Sequence, residues 1–442
     1  MLQHLVDLDA LALRALLQSD AQDVNETLDN GRLPLHHAIE NGSSTNSAAA
    51  LEIVRCLLDF GAEPTALDED GLGTALHVVA GALAREPTFA LPCLALLLER
   101  TSAPLDTLLD VEGNTPMAVA VQQGKQLGAG DAAAQQAAED AVICGVQSLL
   151  NQGSGLLRYA PAVVHERAAK KGRRRPTSSL LHVAAEWSPT RCVEALLQGA
   201  DATEAMETAD ENGEGPLQRA LAAGRSETAN LLLLKYPNAL VRPGDRLSTL
   251  HDLARSSATH PARHLRTCDY PGCARLLVEA GGRAVDEKDS EGRTALALAA
   301  EVGAGVPLVR ELLRLHAQVD ALDNRRRDPV MLSAAQGHTE VLQLLLARSL
   351  EAGDGARAAS RADAEGLTAL MHATARRSVG CVRLLLEQGG GPHDLDSEGR
   401  SALLHALRGQ PAGHAAAASE ASDAAALAVV RTLLRPPLPR DR

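Results

Sequence analysis

The sequence predicts an all-α repeat solenoid. Three observations carry that prediction. A short motif of the form T-P-L-H-x-A-A, loosely kept, recurs ten times along the 442 residues. A leucine pair follows the copies after a helix-length gap and begins a second motif, L-L-x-x-G-A, that is complete at Leu57–Ala62 and loosely kept elsewhere. The chain is also 45 % hydrophobic yet holds only two Phe, three Tyr and one Trp. A core of Leu, Ala and Val suits closely packed helices better than a sandwich or barrel, whose strands favour aromatic and β-branched residues.

The apolar third position of the first motif falls at Leu35, Leu76, Met117, Leu181, Leu217, Leu250, Leu296, Val330, Leu370 and Leu403. Three of the nine steps between them are 33 or 34 residues, and the others are longer by insertions. Thr or Ser at the first position suits an N-cap, and Pro at the second suits a first helical turn. The leucine pairs Leu57-Leu58, Leu97-Leu98, Leu196-Leu197 and Leu312-Leu313 and the triplets Leu344-Leu345-Leu346 and Leu384-Leu385-Leu386 mark the core side of the second helices. Gly61, Gly199, Gly281 and Gly389 are expected to end those helices at positive φ. A D-x-x-G turn closes most units, as in Asp110-Val-Glu-Gly113, Asp289-Ser-Glu-Gly292 and Asp396-Ser-Glu-Gly399.

A 33-residue unit with T-P-L-H-x-A resembles the ankyrin repeat. The resemblance covers about residues 29 to 435 as ten units and implies short β-hairpin fingers at the D-x-x-G turns. It also implies that His36, His77, His182 and His251 tie down neighbouring loop backbone. Each unit then buries its faces only against its neighbours, in one elongated stack.

The predicted organisation runs as follows. A helix at Leu5–Leu17, within 1–28, caps the first unit. Units 1–3 occupy 29–154, a basic insertion occupies 155–177, units 4–10 occupy 178–435, and 436–442 is a tail. Residues 41–50, 81–91, 124–140 and 409–426 read as insertions between the helices of their units, which leaves 427–434 as the final helix. The 155–177 segment carries seven basic residues against Glu166 and is the expected break in the stack.

The charge count, 43 basic against 56 acidic residues, gives −13 and argues against nucleic acid as partner. No apolar run reaches the ~18 residues of a membrane span. Seven cysteines without C-x-x-C spacing, and no basic leader, indicate a reducing compartment, hence cytoplasmic with nuclear entry open. The run Lys170, Lys171, Arg173, Arg174, Arg175 reads as an import signal, an acidic-partner contact or a solvated charged loop. His260, His264, Cys268 and Cys273 have metal-like spacing. Cys273, however, shares its repeat position with Cys93, Cys192 and Cys381, which makes it a packing residue, and no metal or cofactor is expected. Nucleophile-elbow, P-loop, kinase and zincin motifs are all missing, so no enzyme is expected.

The resemblance implies a non-enzymatic scaffold binding proteins in a concave groove of fingers and first helices. The alternative is a targeting or regulatory subunit of an enzyme complex, such as a kinase or ubiquitin-ligase adaptor. Residues just after the turn glycine are the contact candidates: Arg32, Leu72, Asn114, Glu214, Arg293, Leu367 and Arg400, with Arg327 in the eighth unit. They are chosen on the premise that the finger makes no use of their side chains. Asp and Glu at successive tips suggest either an acidic ridge for a basic or mixed-charge partner or turn chemistry alone. The eighth unit breaks the row with Arg325-Arg326-Arg327.

Overall fold

Each of the ten motif positions starts a helix in the computed structural model, and a second helix follows each one. The described residues are 10–19, 24–28, 31–42, 47–68, 73–123, 132–153, 179–210, 213–237, 250–259, 268–279, 284–408 and 420–434. Inner and outer helices of the units run Pro34–Gly42 and Ser47–Asp59, Ala75–Ala82 and Pro87–Arg100, Pro116–Gln122 and Ala132–Asn151, Leu180–Trp187 and Thr190–Leu196, then Pro216–Ala222 and Ser226–Lys235. They continue as Leu250–Thr259 and Tyr270–Glu279, Ala295–Val302 and Val306–Arg314, Pro329–Gln336 and Thr339–Glu351, Ala369–Ala375 and Val379–Glu387, and Ala402–Arg408 and Glu420–Leu434. The chain divides into two compact bodies, Met1–Ala220 with Glu227–Leu247, and Leu221–Ser226 with Ser248–Arg442.

Within each body, inner helix packs on inner helix and outer on outer. In the first, Ala10–Ser19 lies on the outer helix of unit 1, with Leu13 and Leu17 buried. Units 3 and 4 are stacked neighbours: the Ser188 hydroxyl donates to the Val121 carbonyl at 3.0 Å, and Arg191 pairs with Asp140 at 2.5 Å. The basic insertion between them in sequence, Lys170 to Arg175 included, lies outside the described residues. In the second body the core is a column of non-aromatic apolar residues, Leu296, Ala299, Val330, Met331, Leu370, Ala373 and Ala406 among them, all buried.

The inner helices begin as their sequences require. Thr115, Thr294 and Thr368 accept a backbone N–H from the third residue of their helices, and Thr74 and Ser179 form capping boxes with His77 and His182. Unit 8 has Asp328 in that place, accepting from Met331 N at 2.8 Å. Burial pushes this carboxyl up to about 6, against the pull of the Met331 N–H and Arg361. A carboxylate ionised at pH 7.5 is therefore being held where it is poorly solvated. Asp328→Thr restores the neutral cap of the other units and is expected to stabilise the second body by about 1–3 kcal/mol at pH 7.5, an advantage that shrinks toward pH 4. Urea unfolding at the two pH values checks this; a destabilised variant at pH 7.5 sinks it.

Several expectations need correction. The described parts of the insertions are largely helix: Asn41 and Gly42 finish the first inner helix, Ala132–Asn151 takes in 132–140, and Glu420–Leu434 begins before residue 427. Alanine-rich stretches such as A-A-A-Q-Q-A-A-E-D-A extend the outer helices because they favour the helix. Gly61 and Gly389 do end their helices at φ 91° and 90°, but Gly199 is not left-handed and runs on toward an additional helix, Ala202–Glu207. The spacing differs there, with one residue fewer between the Leu pair and Gly-Ala. His316 fills the corresponding place after Val306–Arg314 with φ 65°. Gly281 lies outside the described residues. Within Leu384-Leu385-Leu386, only Leu385 is fully buried.

Candidate protein-binding face

The fingers are organised by their aspartates. One carboxylate oxygen accepts backbone N–H groups two and four residues on. Asp289 Oδ1 takes Glu291 N and Arg293 N at 2.9 Å each. Asp110, Asp323, Asp363 and Asp396 repeat the pattern. This is the local turn chemistry that makes Asp favourable there. Glycine then supplies positive φ at Gly31, Gly113, Gly213, Gly292, Gly366 and Gly399. Isolated antiparallel bridges, Leu67 to Thr74, Ala362 to Thr368 and Leu395 to Ser401, close the hairpins.

The second oxygen is where the expected contact residues reappear. Asn114 Nδ2 donates to Asp110 Oδ2 at 3.1 Å. Arg293, Arg327 and Arg400, four residues after their aspartates, clamp Asp289, Asp323 and Asp396 at 2.8–3.0 Å. Arg293 also binds Glu301 at 2.8 Å and is only 11 % exposed. Arg32 pairs with Glu40, and Glu214 pairs with Arg219 at 3.4 Å. For Asn114, Arg293, Arg327 and Arg400 the premise that the finger ignores the side chain is thus overturned: each donates to the second oxygen of its finger's aspartate. Leu367 is the partly buried apolar member of the set, and Leu72 lies outside the described residues.

Sequence reasoning missed the residues that replace this clamp or, in the last unit, add to it. In unit 5, Arg219 reaches Asp210 from nine residues on. His372 and His405 stand at the same distance from Asp363 and Asp396 and bind them at 2.9 Å each. The signal lay in the sequence: T-A-L-M-H and S-A-L-L-H carry histidine one position after the T-P-L-H slot.

The slot itself behaves as the resemblance implies. His36, His77, His182 and His251 direct Nε2 at the carbonyls of Gly73, Asn114, Glu214 and Arg293, at 3.1, 2.9, 3.1 and 2.8 Å. Each target closes the following finger, so each histidine staples one unit to the next. Burial lowers the pKa of His36, His77 and His182 against the pull of those carbonyls. A neutral ring with Nε2–H satisfies both nitrogens of His77, since Nδ1 accepts from Thr74 N at 3.0 Å.

The acidic ridge is therefore smaller than the sequence suggests. Asp68, Asp210, Asp363 and Asp396 are buried, and Asp289 is mostly so. The described acids left at the tips are Glu112, Glu291, Glu365 and Glu398, and Arg293 and Arg400 pair with two of them. Glu69, Asp70 and Glu211 lie outside the described residues. In the second body, tip is bonded to tip: Asn324 N donates to Glu291 O, Ala364 N to Arg325 O and Ser397 N to Glu365 O, at 3.0–3.1 Å. This ladder holds the tip side chains at fixed intervals in solvent.

Burial pushes the thiols of Cys93 and Cys192 up to about 12, and that of Cys273 upward too, the state of packing residues. His260 and His264 lie outside the described residues, while the Cys268 thiol donates to the Ala223 carbonyl at 3.3 Å. Among the described residues no group of His, Cys, Asp and Glu is gathered as for a metal, and no helix is long and apolar enough to cross a membrane.

Comparison with known proteins agrees with this geometry. A family model of three-copy ankyrin repeats matches residues 265–355 and 353–427, and one of the single ankyrin repeat matches 30–69. "Ankyrin repeat domain-containing protein 63" of Homo sapiens is 39 % identical over 135 residues, 30 % of this chain and 32 % of that protein. Its Mus musculus counterpart is 40 % identical over 111 residues, 25 % of this chain and 27 % of that protein. The chain thus matches about a third or less of the length of these relatives. With the matched segments, the histidine staples and the aspartate-centred fingers in agreement, the chain is an ankyrin-repeat protein.

Proposed function

We propose that the chain is a non-enzymatic scaffold that holds protein partners on the face made by its fingers and inner helices. Ankyrin repeats are in general protein–protein interaction modules. The observation that carries the reading is the tip ladder from Glu291 through Arg325 to Ser397, which presents charged side chains on rigid backbone. Such preorganisation lowers the ordering cost of binding. The tips carry both signs, so the partner surface is of mixed charge, and exposed pairs worth ~0–1 kcal/mol each mainly speed encounter. The protein works in the cytoplasm, and the run from Lys170 to Arg175 is its candidate import signal.

The test is affinity capture by the full chain with quantitative mass spectrometry, repeated with Glu291→Lys, Glu365→Lys and Glu398→Lys combined. These side chains are exposed, so the variant is expected to fold and to lose most captured partners at low salt. Unchanged capture by the folded variant overturns the reading. Recovery of a kinase or ubiquitin-ligase complex as the main partner would instead place the chain as a regulatory subunit of an enzyme.

A further inference from the structure

The finger of unit 8 differs from its neighbours in two independent ways. Arg326 occupies the place of the turn glycine with φ 60°, a left-handed conformation that other described fingers reach with glycine. Side chains there are strained, and strain that persists in a fold points to a use for the side chain. The guanidiniums at this tip are also idle. The finger arginines Arg32, Arg219, Arg293, Arg327 and Arg400 are held by carboxylates. Arg325 and Arg326 are exposed and make no ion pair among the described residues. Their backbone is not idle: Arg325 N and Arg326 N donate to Asp323, and Arg325 O accepts from Ala364 N at 3.0 Å. A third cation, Lys288, is bonded just ahead of this finger's aspartate, its Nζ donating to the Leu322 carbonyl at 2.9 Å.

We infer that the Arg325–Arg326 tip is an anchor for acidic side chains of a protein partner. The inference rests on the scaffold reading above and names the chemistry at one point of that face. Two free guanidiniums side by side offer planar donor sets suited to carboxylates. The neighbouring tips define what else can approach. Glu291 and Glu365 belong to the fingers bonded on either side of this one. A nucleic-acid backbone, negative throughout, meets both glutamates and a chain of net charge −13. A peptide whose acidic residues lie between neutral or basic ones meets the Glu–Arg–Glu order with opposite charge at each step.

The full chain is used to select from a random peptide library, in parallel with Arg325→Glu/Arg326→Glu and with Arg326→Gly. Wild type is expected to enrich peptides with Asp or Glu flanked by Lys, Arg or neutral residues. The double reversal is expected to lower that enrichment at least tenfold at an unchanged melting temperature. Arg326→Gly keeps Arg325 and restores the ordinary turn, so it is expected to lose less binding while melting no lower than wild type. Labelled oligo-uridine serves as the rival probe. Equal enrichment on wild type and the double reversal overturns the anchor while leaving the scaffold reading intact. Oligo-uridine binding that the double reversal abolishes overturns it in favour of nucleic acid. If wild type selects no peptide at all, both readings fall.

Discussion

Leu345→Asp is expected to unfold much of the second body. Leu345 lies on Thr339–Glu351 and is 0 % exposed, with Leu342 and Leu346 buried beside it. Removing a buried leucine costs about 2–5 kcal/mol, and an unpaired carboxylate in its place adds a desolvation penalty of several kcal/mol unless it protonates. A domain holds only about 5–15 kcal/mol in all. The damage spreads because contacts in a stack are between nearest neighbours: the helix packs on Val306–Arg314 on one side and Val379–Glu387 on the other. Leu385→Asp belongs to the same class, since Leu385 is also 0 % exposed. Leu384→Asp is the control. Leu384 is only partly buried, and its substitution is expected to cost roughly 1–2 kcal/mol. Urea unfolding followed by circular dichroism separates the three. If Leu384→Asp proves as damaging as Leu385→Asp, the packing register described for this helix is wrong.

That pair of leucines shows how far the sequence could be read. The triplet Leu384-Leu385-Leu386 announces a helix with a core face, but which member points inward depends on where the helix ends and how its neighbour leans on it. The inner helices were legible to the residue because their starts are local chemistry, a cap at Thr294 and a helix from Ala295. The finger aspartates were legible for the same reason. Their clamps were not, because the partner of the second oxygen comes from four residues away at Arg293 but nine away at His372. That choice shows only in residues that a motif reading passes over: Leu367, which cannot pair, at the four-residue place, and His372 one position past the T-P-L-H slot. The contact candidates suffered from that ambiguity: a position that varies between Asn114, Arg293 and Arg400 looks unconstrained, yet each of those side chains donates to an aspartate. In the sequence Arg325 and Arg326 are only a break in the pattern; that their guanidiniums make no ion pair among the described residues is visible only in three dimensions.

Asp289→Ala is the second large effect expected, and it makes the fingers' contribution measurable through pH. The substitution orphans the N–H groups of Glu291 and Arg293 and frees the Arg293 guanidinium, which then has only glutamates. Part of this is solvent-accessible, so the cost is expected near 2–4 kcal/mol. Burial, the largest single influence, pushes the carboxyls of Asp289, Asp363 and Asp396 up, but it is outweighed. Backbone N–H groups with Arg293 hold Asp289 below the usual carboxylate range; His372 and the Leu367 N–H do so for Asp363, and Arg400 with His405 for Asp396. A carboxylate with a lowered folded pKa contributes stability in full above its unfolded value near 3.8 and loses it as pH falls through the folded value. His36, His77 and His182, also lowered by burial, act earlier. The unfolded chain takes up their protons first, so their contribution declines once pH drops below about 6.5. Asp328 opposes both, because a carboxyl raised to about 6 binds its proton first in the folded chain. The melting temperature is therefore expected to be highest above pH 7, to decline modestly below about 6.5 and to fall steeply below about 4. Asp289→Ala is expected to flatten the last fall, and Asp328→Thr to steepen the decline between pH 6 and 4. A wild-type melting temperature that rises from pH 7.5 to pH 3 would show that neither the histidine staples nor the aspartate clamps are charged as their contacts imply.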